Sequence, residues 1–185
     1  MHTYTPFVPA LRLLQAGEID LLHKHLLRLS KLSRIMRFGR PVSDAFIDEY
    51  CYHLTAENSL IYGVFLQGVL RGSVEIRLME DSEGPEAELI FSVEDQWQNA
   101  GLGSVLMSGA MSAARSAQID TVYLICLREN YPMRRVLAKT GSSFKMMTFV
   151  KPDQDDPETF GSDVFLTFLL DTGRQRAGQS GLMVN

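Results

Sequence analysis

The sequence predicts an α/β domain of the α+β kind, in which strands are interleaved with about four helices. Three observations predict it. Two β-rich runs, Leu60 to Gln67 and Ser73 to Met79, are joined by a glycine-bearing connection, which reads as a hairpin. A strand, a glycine turn, a helix and a second strand then follow one another from Glu88 to Leu127, with the helix expected to cover the sheet. Two further strands close the pattern, Ser143 to Val150 and Asp163 to Leu170.

Taken in order, Ile19, Leu22, Leu26 and Leu29 recur at spacings of three and four, predicting one helix from Glu18 to about Ser30. Ser43 is a good N-cap for a second helix reaching Leu54, with Phe46, Ile47, Tyr50, Cys51 and Leu54 on one face. The hairpin turn is expected over Gln67 to Gly72, and an acidic loop, Glu80 to Glu86, leads to the strand Glu88 to Val93. The next helix runs from Gly103 to about Ala117. Its face of Leu102, Val105, Leu106, Gly109, Ala110 and Ala113 is small enough to lie close to a sheet. Thr121 to Leu127 is nearly all apolar, as for a strand buried on both faces. Asn130 caps a short helix that carries Met133, Val136 and Leu137 inward and ends at Gly141.

The chain has 185 residues, 45% hydrophobic and 22% charged, which suits one domain, expected over residues 1–171 with a flexible tail at 172–185. Its net charge of −4 excludes a generic, strongly basic nucleic-acid binder. Cys51 and Cys126 lie in apolar runs and read as buried reduced thiols, in keeping with a cytoplasmic protein. No secretory signal is expected in MHTYTPFVPA. The longest apolar stretch, Ser59 to Leu70, is too short for a membrane-spanning helix of about 20 residues. His23, His25 and His53 have no metal-ligand spacing, Trp97 reads as packing, and the methionines read as core filler.

The strongest signal is Gln98-x-x-Gly101-x-Gly103 between a strand and a helix. Such a turn leaves backbone N–H groups unpaired at the positive end of a helix dipole, and glycine lets an anion approach them. It is neither a dinucleotide fingerprint nor a Walker A loop, because Leu106 stands where a third glycine would fall and no Gly-Lys-Ser/Thr follows. With Val93 before it and Asn130-x-x-Met133 after the next strand, the arrangement resembles the coenzyme A site of the GNAT family of N-acetyltransferases. The similar order of elements spans about Leu11 to Leu170. Leu29-Ser30-x-x-Ser33-Arg34-x-x-Arg37-Phe38 further resembles the acetyltransferase domain of bacterial protein lysine acetyltransferases.

The resemblance implies a central mixed, mostly antiparallel twisted sheet with a splayed strand pair, flanked by about four helices, and acetyl-CoA as cofactor. Phe91, Ser92 and Val93 would lie along the pantetheine arm, with backbone groups of Phe91 and Val93 pairing with it. Amides of Gln98, Asn99, Ala100, Gly101, Leu102, Gly103 and Ser104 would hold the pyrophosphate. Asn130, with Met133 behind it, would face the other side of the pantetheine. It implies Glu88 as the group that accepts the acceptor amine's proton, with Glu86 and then Glu94 as alternatives. Many members place a tyrosine where this chain has Leu137, so no general acid carries over.

Basic residues Lys24, Arg28, Lys31, Arg34, Arg37 and Arg40 form a stripe, either a solvated helix face or a surface for an acidic partner or nucleotide phosphates. Acidic loops at Glu80–Glu86 and Asp153–Glu158 suit a cationic amine such as lysine or a polyamine, or serve only solubility. The expectation is therefore an acetyl-CoA-dependent N-acetyltransferase working by direct attack in a ternary complex, without metal, nucleic acid or membrane, and open to homodimerisation. The rivals are a non-catalytic acyl-CoA sensor and a protein that only binds an acidic partner.

Overall fold

A computed structural model describes residues 8–54, 59–79, 84–139, 144–152 and 160–172. One seven-stranded sheet runs in the order β1 (Ala10–Leu13), β2 (Ser59–Leu66), β3 (Val69–Leu78), β4 (Glu86–Val93), β5 (Thr121–Leu127), β7 (Phe160–Asp171) and β6 (Phe144–Pro152). Every neighbouring pair is antiparallel except β4 and β5. Helices α1 (Ile19–Leu27), α2 (Lys31–Phe38) and α3 (Asp44–His53) precede β2, α4 (Leu102–Ser116) makes the crossover, and α5 (Tyr131–Lys139) follows β5.

Two cores sit on opposite faces of the sheet. Leu106, Ala110 and Ala114 of α4 meet Val74, Ile76, Leu89, Val122 and Leu124 on one face. On the other, Leu22 and Leu26 of α1 and Ile47 of α3 meet Ile61, Phe65 and Leu70. Burying Leu26 and Ile47 completely contributes about 1.5–3 kcal/mol each. Close packing of α4 rests on Gly109, where a Cβ would come within 2.3 Å of Leu11 Cδ2 in β1. The buried stripe of α4 is turned slightly from the expected one, with Met107 and Met111 inside and Val105 and Ala113 at its edge.

Three expectations are corrected. The helix expected from Glu18 to Ser30 ends at Leu27, and a separate α2 begins beyond Ser30, whose hydroxyl accepts a hydrogen bond from Ser33 N. Gly39, at φ 70° in the left-handed region, closes α2. The hairpin turn is two residues, Gln67 and Gly68, both at positive φ, so Val69 to Gly72 are strand and not loop. Strand β5 is fully buried on one face only: Val122, Leu124 and Cys126 are covered, whereas on the other face Leu127 is buried, Thr121 and Tyr123 are half-buried and Ile125 is 42% exposed. Strand β7 ends at Asp171, and the buried Thr172 donates its hydroxyl to the Ile119 carbonyl at 2.7 Å. The two acidic loops fall outside the described residues except for Gly84 to Glu86, as do Gly141 and residues 173–185.

A buried polar cluster fastens α1 to the end of β4. His25, 0% exposed, meets Ser92 Oγ through Nε2 at 2.9 Å and Glu94 through Nδ1 at 3.4 Å. Burial pushes the imidazole below its usual 6.5, against the pull of Glu94. Burial also opposes the charge of Glu94, but hydrogen bonds from His25, Arg28 and Arg71 outweigh it and hold the carboxyl at about 2. Both groups therefore bind fewer protons folded than unfolded, and stability falls with falling pH. The His25 contribution is complete above about pH 6.5, and the Glu94 contribution is lost from about 4.5 towards 2. The expected melting temperature is level between about pH 7 and 8 and declines from about 6.5 downward, and His25→Gln removes that upper step. A level profile from pH 7 to 5 in the unsubstituted protein, followed by circular dichroism, contradicts a neutral His25.

Candidate active site

Strands β4 and β5 are in register only at Glu86 with Thr121, Ala87 with Val122 and Glu88 with Tyr123, and beyond these they part. On its other side β4 stays paired with β3 through Val93. Antiparallel partners alternate between residues that exchange hydrogen bonds and residues that turn their N–H and C=O away. Met79 N bonds Glu86 O and Glu94 N bonds Arg71 O, which sets the phase. Leu89, Phe91 and Val93 thus direct their backbone groups towards β5, which has left. The result is a strand edge open inside a folded sheet.

A cleft of about 390 Å³ adjoins this edge, bounded by α2, the end of β4, the turn into α4 and the start of α5. The turn passes Asn99 at φ 61° and Gly101 at φ 88°, and α4 starts immediately. Gly101 caps it without a side chain, so the amides of Leu102 and Gly103 have no carbonyl to meet within the helix. A Cβ at Gly103 would come within 3.0 Å of Val136, which lets α5 close the cleft tightly. Arg135 Nη2 donates to Asn99 Oδ1 at 2.9 Å, and Lys139 lines the same wall, so two cations of α5 flank the turn. Free amides, a helix N-terminus and two cations suit a phosphate-bearing ligand.

All the residues expected at the cofactor line this cleft except Ala100 and Leu102. Ala100 is exposed and Leu102 is buried in the core, so either could contribute through its backbone only. Asn130 caps α5 by accepting Met133 N at 3.1 Å on its Oδ1. Gln98 points inward: its Nε2 donates to the Val93 carbonyl at 3.1 Å and to Ser33 Oγ at 3.0 Å. Ser33 and Ser30 in turn donate to Asp95 at 2.8 and 2.6 Å, and this seam seats α2 on the cleft. Trp97 also lines the cleft, while its indole N–H is buried and has no partner among the described residues. Sequence reasoning missed Leu32 and Met36 of α2 and singled out Arg37 only within the basic stripe and the motif from Leu29 to Phe38, although Ser30 and Gly39 bracket that helix as its start and stop.

Glu88 sits where β4 and β5 diverge, opposite Arg77 of β3 and on the face covered by α2 and α3. Burial pushes its carboxyl above the usual 4.5, and Arg77 and Arg37 counter this in part. The alternatives fare differently. Glu86 accepts the Tyr123 hydroxyl at 2.9 Å. Glu94 is 3% exposed, ion-paired to Arg28 and Arg71 and held near 2, so it cannot collect a proton near neutral pH.

Residues 10–143, more than half of the chain, match the acetyltransferase (GNAT) domain family. The chain belongs to the GNAT acetyltransferase family. Members of this N-acetyltransferase family generally use acetyl-CoA. No curated protein matches the chain at a significant level. Among solved structures, the GNAT domain of S. lividans PAT is similar at 21% identity, covering 88% of this chain and 90% of that one, with a TM-score of 0.64. A GNAT acetyltransferase from Streptococcus pneumoniae matches at 19% identity, 89% and 99% coverage and 0.64. A ribosomal-protein-alanine N-acetyltransferase from Brucella melitensis matches at 12%, 86% and 98%, and 0.63. These likenesses show the GNAT fold, including its mostly antiparallel sheet.

Within this GNAT domain the position of the family tyrosine is filled by Leu137, 1% exposed in the core behind α5. Neither neighbouring tyrosine replaces it: Tyr123 is committed to Glu86, and Tyr131 is 60% exposed under the Arg134 guanidinium. Most of the basic stripe is engaged within the chain: Lys24 pairs with Asp20, Arg28 with Glu94, Arg34 with Asp44 and Arg37 with Glu75, Arg40 stacks on Phe46, and Lys31 is exposed. Among the described residues, no helix is long and apolar enough to cross a membrane.

Proposed function

We propose that this GNAT domain acetylates a primary amine, a protein lysine or a small cationic amine, by direct attack in a ternary complex with acetyl-CoA. The observation that carries the reading is the open edge of β4, with the glycine turn at one end and Glu88 at the other. An extended pantetheine arm is the right shape for that edge, and the free Cβ space at Gly101 leaves room for a polar chain beside it. Phe91 and Val93 offer the backbone groups, although Gln98 already engages the Val93 carbonyl and leaves the Val93 N–H as the donor at that position. Amides from Gln98 to Ser104 receive the pyrophosphate, with Arg135 and Lys139 beside them. Asn130 and Met133 close the far side.

When bound, acetyl-CoA supplies the activated acetyl group and a thiolate able to leave. A thiol's ordinary pKa of about 8.5 lets that thiolate depart without a dedicated acid, in keeping with Leu137. The acceptor, an ammonium with a pKa of about 10.4, must first lose a proton, and Glu88 takes it directly or through water. The Val93 N–H polarises the acetyl carbonyl. An acyl-enzyme is unsupported, because burial pushes the thiols of Cys51 and Cys126 up to about 11.

Calorimetry with acetyl-CoA and thiol release against a panel of amines and lysine peptides test the proposal. Micromolar binding and release with at least one amine are expected. No binding of acetyl-CoA at micromolar concentrations overturns the cofactor reading. Binding without release from any amine favours the non-catalytic sensor.

A further inference from the structure

Glu88 lies outside the residues that line the cleft, and its surroundings contain a cation held in place by hydrogen bonds to Glu75 and Tyr50. Arg77 stands opposite Glu88 in the β3–β4 register. Its Nε and Nη2 both donate to Oε1 of Glu75, at 3.1 and 2.7 Å, and Nη2 also reaches the Tyr50 hydroxyl at 3.2 Å. The anchor is itself immobile. Glu75 is 2% exposed, and it also receives Arg37 at 3.0 Å, the Ser59 hydroxyl at 3.2 Å and the Tyr50 hydroxyl. With two edges of its guanidinium committed, Arg77 presents Nη1 to Glu88 and stops 3.7 Å from Oε2. That distance is too long for a hydrogen bond and short enough for a strong charge–charge attraction. The Glu88 carboxylate accepts no hydrogen bond from any described residue.

We propose that Arg77 is a positioning residue, pinned on Glu75 and Tyr50 so that it keeps the Glu88 carboxylate charged while leaving both its oxygens open to the acceptor's proton. This rests on the reading of Glu88 as proton acceptor. The spacing answers two opposed demands. Without a cation, a half-buried carboxyl takes up a proton from water and has no room for the substrate's; with a bidentate arginine, its lone pairs are spent and its basicity falls. Among the described residues, the groups around Glu88 are Glu75 and Arg77 from β3, Arg37 from α2, Tyr50 from α3, Tyr123 from β5 and Glu86 on its own strand. Of the cations among them only Arg77 comes within salt-bridge distance. Arg37 lies deeper, 4% exposed against Glu75.

The test is a carboxyl-carbon NMR titration of the full chain labelled at glutamate, with Glu88→Gln assigning the resonance. In Arg77→Gln the Glu88 midpoint is expected to rise by about one pH unit, the lower end of the range for an opposite charge this near, because both partners are partly exposed. Arg77→Lys, which keeps the charge, returns it most of the way. Once an accepted amine is identified, the acidic limb of kcat/KM moves upward by the same amount, with acetyl-CoA affinity unchanged. Arg77→Met, which keeps the apolar stem, serves where Arg77→Gln does not fold. A folded variant without the arginine charge whose Glu88 midpoint stays in place overturns the inference. If the midpoint moves but Glu88→Gln retains full activity and its acidic limb, the proton-acceptor reading fails instead.

Discussion

The Gly101→Glu protein is expected to fold and to bind acetyl-CoA at least about 100-fold more weakly, a loss of about 2.7 kcal/mol or more. No atom lies within 4 Å of a Cβ built at Gly101, so bulk alone does not disturb the fold. Two effects fall on the ligand instead. At φ 88° an L-residue costs about 1–2 kcal/mol, which the turn relieves by shifting amides away from their present convergence. The new carboxylate also stands at a helix N-terminus proposed to receive a pyrophosphate, and repels it. Gly101→Ala carries the first effect without the second and should lose much less. Calorimetry on the three proteins decides, and undiminished affinity in Gly101→Glu rules out the turn as the phosphate site.

The second large effect is chemical. Glu88→Gln is close to isosteric, and is expected to lower kcat/KM by about 10²–10⁴-fold while leaving acetyl-CoA affinity intact. Burial raises the Glu88 carboxyl above 4.5, and a base works only when ionised, so activity in the unsubstituted enzyme falls as pH drops through that raised value. The variant loses this acidic limb, leaving the rise set by the acceptor amine. An unchanged rate and profile in Glu88→Gln would remove Glu88 from the mechanism.

Local patterns were legible in the sequence where local physics decides them. Strand β5 is bounded as expected, α3 begins after its Ser43 cap, and α4 follows the glycine turn, because periodicity and capping act within a few residues. The break between α1 and α2 was hidden by the apolar spacing running on to Leu29, although Ser30 and Gly39 signalled it. The basic stripe was legible as a repeat and not as an environment. Its partners Glu75 and Glu94 lie 38 and 66 residues away from Arg37 and Arg28, and only the folded chain joins them. The fixed attitude of Arg77 escaped notice for the same reason, since it depends on α3 and β3 meeting.

The seam from Asp95 through Ser33 to Gln98 bears on how transferable the glycine turn is. The segment from Val93 to Ser104 looks like a self-contained cassette, yet its glutamine and aspartate are held by two serines more than sixty residues upstream. Transplanted alone into another strand–helix junction, it would carry the amides without the restraint that aims them. The unit that could be grafted intact is the turn together with α2, two pieces of chain far apart in sequence that form one part.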